Sequence, residues 1–228
     1  MALQSFTFST RLECLYLVDE PEAFDGSSAV FALHGYGSTP DVMATLARAL
    51  VGLEPLVVAL RAPYAFYQGT PSSNQVGYSW ATHTTSEASV RLHHDMVLEV
   101  FNAVERRWSI AAGRRILAGF SQPVGLNYRF AATHPQTVRG VIGACGGVPK
   151  DWETGPLYKD VTASLLHIAR QQDEFYPAEV SGRFEGRLRT RARDVEFHML
   201  EGGHRFPSKG SSIVRPWMSR ILSSGLTL

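Results

Sequence analysis

The sequence has little of three things: cysteine, net charge and long apolar stretches. Only Cys14 and Cys145 occur among its 228 residues, which excludes a disulfide framework and a four-cysteine zinc site. Its 22 basic and 21 acidic residues give a formal net charge of +1, so bulk charge does not draw it to nucleic acid or anionic lipid. Apolar runs such as 29–33 and 56–60 are far shorter than the roughly 18–20 residues of a membrane span. We therefore expect no nucleic-acid partner and no stable membrane insertion.

The composition is that of one folded domain. Hydrophobic residues make up 44% of the chain and charged residues 19%, which excludes an intrinsically disordered protein. No internal repeat or linker divides the chain, so we expect a single domain over 1–228. The first residues, MALQSFTFSTRLE, lack the charged start and apolar stretch of a signal peptide. With two free thiols, the expected location is cytoplasmic.

Strand-like apolar runs alternate with segments of helical period. A half-exposed strand is predicted at 12–18, and further strands at 29–33, 56–60, 115–119, 140–144, 164–169 and 195–200. Helices are predicted from residue 39 and at 86–108, 124–133, 177–188 and 213–222. Such alternation favours the α/β class, with a mostly parallel sheet sandwiched by helices.

Two long loops, 61–86 and 146–161, interrupt the alternation. Loops of this length in a compact domain are usually functional. The first is rich in aromatic residues, which either form the walls of a pocket or only hold the loop to the body. Tyr78 and Trp80 are its candidate substrate contacts. The second loop is too short to build a helical cap domain.

The sharpest local signal is a serine, Ser121, between a predicted strand and a predicted helix. A strand–turn–helix junction of this kind is the context of a nucleophile elbow, which holds a serine exposed in a strained turn. Gly119 supplies the usual glycine two positions before the serine. Two positions after it, Pro123 replaces the usual glycine. Proline in a first helical turn loses no hydrogen bond, but it disfavours the α conformation of Gln122 before it. We expect an intact elbow with an altered Gln122 amide.

A nucleophilic serine needs a base, and the base needs an acid that orients it. In folds with this elbow the chain order is serine, acid, histidine, each after a strand. Asp173 and His204 follow predicted strands in that order. Glu174, adjacent to Asp173, is the rival acid.

A glycine-rich turn follows the first buried strand, in Leu33-His34-Gly35-Tyr36-Gly37. Its backbone can turn N–H groups toward the serine, so the amides of Tyr36 and Gln122 are the candidate oxyanion hole. His34 is expected to brace this turn rather than act as a base. The remaining histidines have no metal-ligand spacing, and no metal or other cofactor is expected.

Together these segments resemble the α/β-hydrolase superfamily and, within it, the small phospholipase/carboxylesterase family that includes acyl-protein thioesterases. The matching segments are Leu-His-Gly-Tyr-Gly (33–37), Gly-Phe-Ser-Gln (119–122), Gln-Gln-Asp-Glu-Phe-Tyr-Pro (171–177) and Gly-Gly-His (202–204). The resemblance implies an α/β-hydrolase fold, Ser121, Asp173 and His204 as catalytic triad, and Tyr36 and Gln122 as oxyanion hole. Pro123 and the pair Ala169-Arg170 depart from the family pattern.

The expected function is that of a serine hydrolase. It would cleave short-to-medium acyl carboxylic esters, or thioesters, of small molecules through an acyl-enzyme intermediate. The alternative is a non-catalytic α/β-hydrolase scaffold that binds a ligand or partner, with Pro123 as the sign of a disabled elbow. Monomer and homodimer remain open.

Overall fold

The computed structural model describes residues 12–83 and 86–223, together with 3, 4, 6, 8 and 10. The strands in this part of the chain are β1 (Tyr16–Asp19), β2 (Ala29–Leu33), β3 (Leu56–Leu60), β4 (Tyr64–Tyr67), β5 (Val76–Ser79), β6 (Arg115–Phe120), β7 (Gly140–Ala144), β8 (Ser164–Arg170) and β9 (Val195–Leu200). The helices are α1 (Pro40–Val51), α2 (Ser86–Trp108), α3 (Pro123–Thr133), α4 (Ala178–Ser181), α5 (Phe184–Arg189) and α6 (Ser211–Ser223).

The central sheet has seven strands in the order β1-β3-β2-β6-β7-β8-β9. Strand β1 is antiparallel to β3, with Tyr16 opposite Leu60, and the other pairs are parallel. The carboxyl ends of the parallel strands meet at one edge, where open α/β sheets bind their ligands. The segments that follow β2, β6, β8 and β9 therefore meet there.

Helices cover both faces of the sheet. Alternate residues of β2 face opposite sides, since Phe31 and Leu33 belong to one apolar core and Val30 and Ala32 to the other. The first core includes α2 and α3, and the second includes α1 and α6. All five residues of β2 are buried, as a strand covered on both faces should be. The predicted α/β class, with a mostly parallel sheet between helices, is confirmed.

Three predicted elements differ from the structure. The first strand begins at Tyr16 rather than at residue 12. The long loop 61–86 contains a two-stranded antiparallel hairpin of β4 and β5, which pair only with each other. The helix predicted at 177–188 is two short helices, α4 and α5, interrupted at Gly182, whose low helix propensity favours a break. Among the described helices, none is both long enough and apolar enough to cross a membrane.

Candidate active site

Ser121 lies directly after β6, in the turn that leads into α3. Its φ is +63°, in the left-handed region that a non-glycine residue seldom adopts, so the turn is strained. Its backbone N–H donates to the carbonyl of Ala144 at 2.8 Å, which ties the turn to the end of β7. A Cβ on Gly119 would lie 2.7 Å from Asn127 Nδ2, so a larger residue there would force the buried Asn127 side chain to move. The Ser121 side chain thus stands, partly exposed, at the carboxyl edge of the sheet.

Pro123 begins α3 without displacing the residue before it. Gln122 keeps α-helical dihedrals (φ −50°, ψ −47°), although a residue before proline usually avoids them. The Ser121 carbonyl accepts a hydrogen bond from Val124 N–H at 3.2 Å, which fixes the plane of the Ser121–Gln122 peptide. Because N–H and C=O of a trans peptide point in opposite directions, the Gln122 N–H is directed away from the helix.

His204 connects Ser121 to an acid. Its Nε2 lies 2.8 Å from Ser121 Oγ, and its Nδ1 lies 2.9 Å from Asp173 Oδ2. The three residues come from the segments after β6, β8 and β9, which the parallel sheet brings to one edge.

Asp173 is held on its other oxygen as well. Its Oδ1 accepts the backbone N–H groups of Phe175 and Tyr176, both at 2.9 Å. The residue is only 3% exposed, so these donors replace the water that a carboxylate would otherwise bind.

Glu174 points elsewhere. Its Oε2 accepts the backbone N–H of His204 at 3.1 Å, whereas Asp173 bonds the imidazole. Hydrogen bonds from the backbone N–H groups of Glu174 itself and of His204 lower the pKa of the Glu174 carboxyl below its usual value. The structure therefore places Asp173, and not the rival Glu174, against the base.

The turn after β2 is braced by His34, as expected. His34 Nε2 accepts the backbone N–H of Ala62 at 3.1 Å, which leaves the ring proton on Nδ1 to bond the Gly35 carbonyl at 2.8 Å. Burial lowers the pKa of His34, so the ring is neutral at neutral pH. Among the described residues, no hydrogen bond occupies the backbone N–H of Tyr36 or of Gln122.

Comparison with known protein families gives the family of the chain. A model of the Phospholipase/Carboxylesterase family matches residues 21–221. The chain belongs to this family. It is accordingly a carboxylic ester hydrolase, and its fold is the α/β-hydrolase fold. A search of curated proteins found no match.

Three solved structures share the fold of this family member. A carboxylesterase from Mesorhizobium loti is 22% identical, with a TM-score of 0.71 over 93% of this chain and 98% of that one. The esterase PE8 is 21% identical, with a TM-score of 0.74 over 92% and 100%. SOBER1 of Arabidopsis thaliana is 16% identical, with a TM-score of 0.68 over 86% and 99%. At these identities the likeness concerns the fold alone.

Trp80 does not line a groove of this esterase, contrary to expectation. Its side chain is fully buried, and its indole N–H donates to the His34 carbonyl at 2.8 Å. Tyr78 is half-buried beside Arg61, whose guanidinium lies 5.3 Å from the centre of the tyrosine ring. Tyr78 lines a cavity with residues 12–14, none of which belongs to the triad. Within the described part of the chain, neither side chain makes a hydrogen bond or a ring contact with the triad.

An exposed aromatic ring that sequence reasoning did not single out lies beside the triad, and a second one lies on the turn after β2. Phe175 is 68% exposed, and its ring centre is 4.8 Å from that of His204. Tyr36 is 64% exposed and stacks on Phe66 of β4, with ring centres 4.8 Å apart. The sequence offered one signal for these rings: Phe175 lies two residues after Asp173, and Tyr36 lies within the glycine-rich turn after β2.

The loop 146–161 forms no helix and no cap, and the structure describes it throughout. Trp152 anchors it, fully buried, with its indole N–H on the Arg187 carbonyl at 2.9 Å. Arg187 in turn donates to the Pro149 carbonyl and pairs with Glu153 at 2.6 Å. Within the described part of the chain, no group of three or more His, Cys, Asp or Glu residues is placed to hold a metal ion.

Proposed function

We propose that the protein is a serine hydrolase that cleaves short-to-medium acyl carboxylic esters, or thioesters, of small molecules. The observation that carries this proposal is the continuous set of hydrogen bonds from Ser121 Oγ through His204 to Asp173, at 2.8 and 2.9 Å. These are the distances at which a base activates a nucleophile and an acid orients the base. With both cysteines free, a cytoplasmic location stays part of the proposal.

In the first half-reaction Ser121 Oγ attacks the carbonyl carbon of the substrate while His204 Nε2 takes the hydroxyl proton. The π electrons of the carbonyl move to its oxygen, and a tetrahedral oxyanion forms. Asp173 keeps the Nδ1 proton of His204 in place and stabilises the imidazolium. When the intermediate collapses, the bond to the alcohol oxygen or thiol sulfur breaks, and the leaving group takes the proton from Nε2. An acyl ester of Ser121 remains.

In the second half-reaction water attacks the acyl-enzyme, and His204 Nε2 now accepts a proton of that water. Collapse of the second oxyanion breaks the bond to Ser121 Oγ, which recovers its proton from His204. The carboxylic acid leaves. In both steps the backbone N–H groups of Tyr36 and Gln122 are the proposed donors to the oxyanion.

The surroundings of Ser121 support a small substrate. The loop 146–161 carries no helical cap, and the exposed ring of Phe175, 4.8 Å from that of His204, offers an apolar surface beside the site. Each further methylene of an acyl chain gains at most about 0.8 kcal/mol, and only where it still covers apolar wall. The gain therefore ends after a few carbons, and we expect activity from p-nitrophenyl acetate to octanoate without activation by micelles.

The alternative of a non-catalytic scaffold depended on Pro123. The α-helical Gln122 and the strained Ser121 argue against it, because they are the conformations of a formed elbow.

The test compares two serines that share a left-handed backbone. Ser121→Ala should abolish hydrolysis of p-nitrophenyl butyrate. Ser109→Ala, at an exposed serine with φ +58°, should keep the wild-type rate. An active Ser121→Ala enzyme would overturn the proposal.

A further inference from the structure

We propose that Trp80 is a positioning residue that joins the two halves of the oxyanion hole. This inference rests on the proposed function, and it assigns a task to a side chain that touches neither Ser121 nor His204. The two amide donors, on Tyr36 and Gln122, belong to separate turns after β2 and β6. Their relative position must be fixed to a fraction of an ångström for both to meet one oxygen atom.

The first contact of Trp80 is with the nucleophile turn. The Trp80 backbone N–H donates to Gln122 Oε1 at 2.8 Å. Gln122 Nε2 donates to Ser79 Oγ at 3.0 Å and to the Ala81 carbonyl at 3.3 Å. The side-chain amide of Gln122 is thus held on both of its ends by the segment 79–81, and this holds the residue whose backbone N–H is one of the two donors.

The second contact is with the oxyanion turn. The Trp80 indole N–H donates to the His34 carbonyl at 2.8 Å, and the two rings lie 5.5 Å apart. Two residues earlier, Tyr78 accepts the Gly37 N–H on its carbonyl at 2.9 Å. The chain around Trp80 therefore holds the turn on both sides of Tyr36.

These bonds determine the direction of the Tyr36 N–H. The indole holds the His34–Gly35 peptide. The next peptide, Gly35–Tyr36, is held through the Gly35 carbonyl, which bonds the His34 ring at 2.8 Å and accepts the Ser38 N–H at 3.2 Å. Since a trans peptide is planar, a fixed Gly35 carbonyl directs the Tyr36 N–H to the opposite side. Without the indole donor, the His34 carbonyl would lose this bond, and the His34–Gly35 peptide that precedes the Tyr36 amide would no longer be held in its present orientation.

Trp152 provides a matched control for this role. Like Trp80 it is fully buried, and its indole N–H donates to one backbone carbonyl, that of Arg187, at 2.9 Å. It anchors the loop 146–161 and makes no hydrogen bond to either turn of the oxyanion hole. Replacing each tryptophan by phenylalanine removes the same donor and a similar apolar volume, so the two variants should lose similar stability.

The experiment measures kcat and KM for p-nitrophenyl butyrate with Trp80→Phe and Trp152→Phe. Removing one oxyanion donor outright lowers kcat by about 10²–10³-fold, and a misaligned donor should cost Trp80→Phe at least about tenfold. KM should change by less than about threefold, because the donors act on the transition state and not on bound ester. Trp152→Phe should keep wild-type kcat.

A second readout separates positioning from general destabilisation. A trifluoromethyl ketone captures Ser121 as a tetrahedral oxyanion, so its inhibition constant for Trp80→Phe should rise in proportion to the loss of kcat. The uncharged alcohol 1-butanol, which carries no oxyanion, should inhibit all variants equally. If Trp80→Phe does not fold, Gln122→Met, which removes the other contact but keeps the backbone N–H, should give the same pattern.

Unchanged kcat in a folded Trp80→Phe or Gln122→Met enzyme would overturn the inference. An equal loss of kcat in Trp152→Phe would overturn it too. Both results leave the proposed function intact as long as wild type is active and Ser121→Ala is not. An active Ser121→Ala enzyme would instead refute the proposed function itself.

Discussion

Asp173 and Glu174 are neighbours in the chain, yet they bind opposite ends of the same histidine. Asp173 Oδ2 lies 2.9 Å from His204 Nδ1, while Glu174 Oε2 accepts the His204 backbone N–H at 3.1 Å. One carboxylate therefore orients the ring, and the other anchors the main chain that carries it.

This division of labour predicts different outcomes for two isosteric substitutions. Asp173→Asn should lower kcat by roughly 10⁴-fold, the loss known for this change in a serine protease, because an amide favours the wrong imidazole tautomer. Glu174→Gln should stay within about threefold of wild type, since its amide oxygen still accepts the His204 N–H. Steady-state kinetics on a p-nitrophenyl ester measures both. Equal losses in the two variants would contradict the assignment of the acid.

A second pair of variants tests the packing beneath the elbow. A Cβ on Gly146 would lie 2.6 Å from the Ser121 carbonyl oxygen and 2.3 Å from Val124 Cβ, so the elbow would have to move. Gly146→Ala should lower kcat by more than about tenfold and also lower the melting temperature. Gly113→Ala, where a Cβ would meet no atom within 4 Å, is the control and should change neither. Wild-type kcat in a folded Gly146→Ala enzyme would mean that the elbow tolerates displacement.

The sequence predicts the inner strands of the sheet well because they are buried on both faces and have continuous apolar runs. The predicted bounds of β2, β3, β7 and β9 agree with the structure. The strands β4 and β5 escaped prediction because they are four residues each and lie apart from the central sheet. Their stability comes from contacts such as the stacking of Phe66 on Tyr36, which local sequence does not reveal.

The active site likewise has residues that the sequence predicts and features that it does not. Ser121, Asp173 and His204 could be proposed from sequence because each follows a strand, and the edge of a parallel sheet gathers such residues. The buried position of Trp80 could not be predicted from the sequence. An aromatic residue in a loop either faces solvent or fills the core, and distant partners such as His34 decide which. The α-helical conformation of Gln122 could not be predicted either. A residue before proline usually avoids that conformation, but contacts of Gln122 with the segment 79–81 outweigh this preference.

Acyl-chain selectivity should depend on Phe175. Its ring is exposed beside His204, so Phe175→Ala should raise KM for p-nitrophenyl octanoate several-fold and leave the acetate nearly unchanged, because only the longer chain reaches the ring. Leu53→Ala is the control: Leu53 is 78% exposed but precedes β3, at the opposite edge of the sheet. An equal effect on acetate and octanoate, or a rate optimum at palmitate, would contradict the proposed preference for short-to-medium acyl chains.

The buried histidines should make the fold sensitive to acid. Burial lowers the pKa of His93 to about 3, and those of His94 and His167 to about 4. In the unfolded chain these rings titrate near 6.5, so below that pH the unfolded state binds protons that the folded state does not. The free energy of unfolding should therefore be highest above about pH 6.5 and fall between 6.5 and 4.

His167→Gln should make this decline shallower. It removes one titrating ring, which should reduce the slope by up to about 1.4 kcal/mol per pH unit, and its amide can still accept the Tyr128 hydroxyl that His167 Nδ1 bonds at 2.8 Å. His83→Gln, at an exposed position, serves as the control. Urea denaturation at several pH values measures the slopes. A His167→Gln slope equal to that of wild type would show that this ring already titrates normally in the fold.

The central claim, that Ser121 is a nucleophile activated by His204, is tested most directly by reaction with a fluorophosphonate followed by peptide mass spectrometry. The account predicts one phosphonyl group per chain, on Ser121, formed rapidly by wild type and by Ser109→Ala. His204→Ala should be folded and labelled at least about 10³-fold more slowly, because the serine hydroxyl has lost its base. A wild-type protein that is not labelled, is labelled on another residue, or reacts only as fast as His204→Ala would contradict the account.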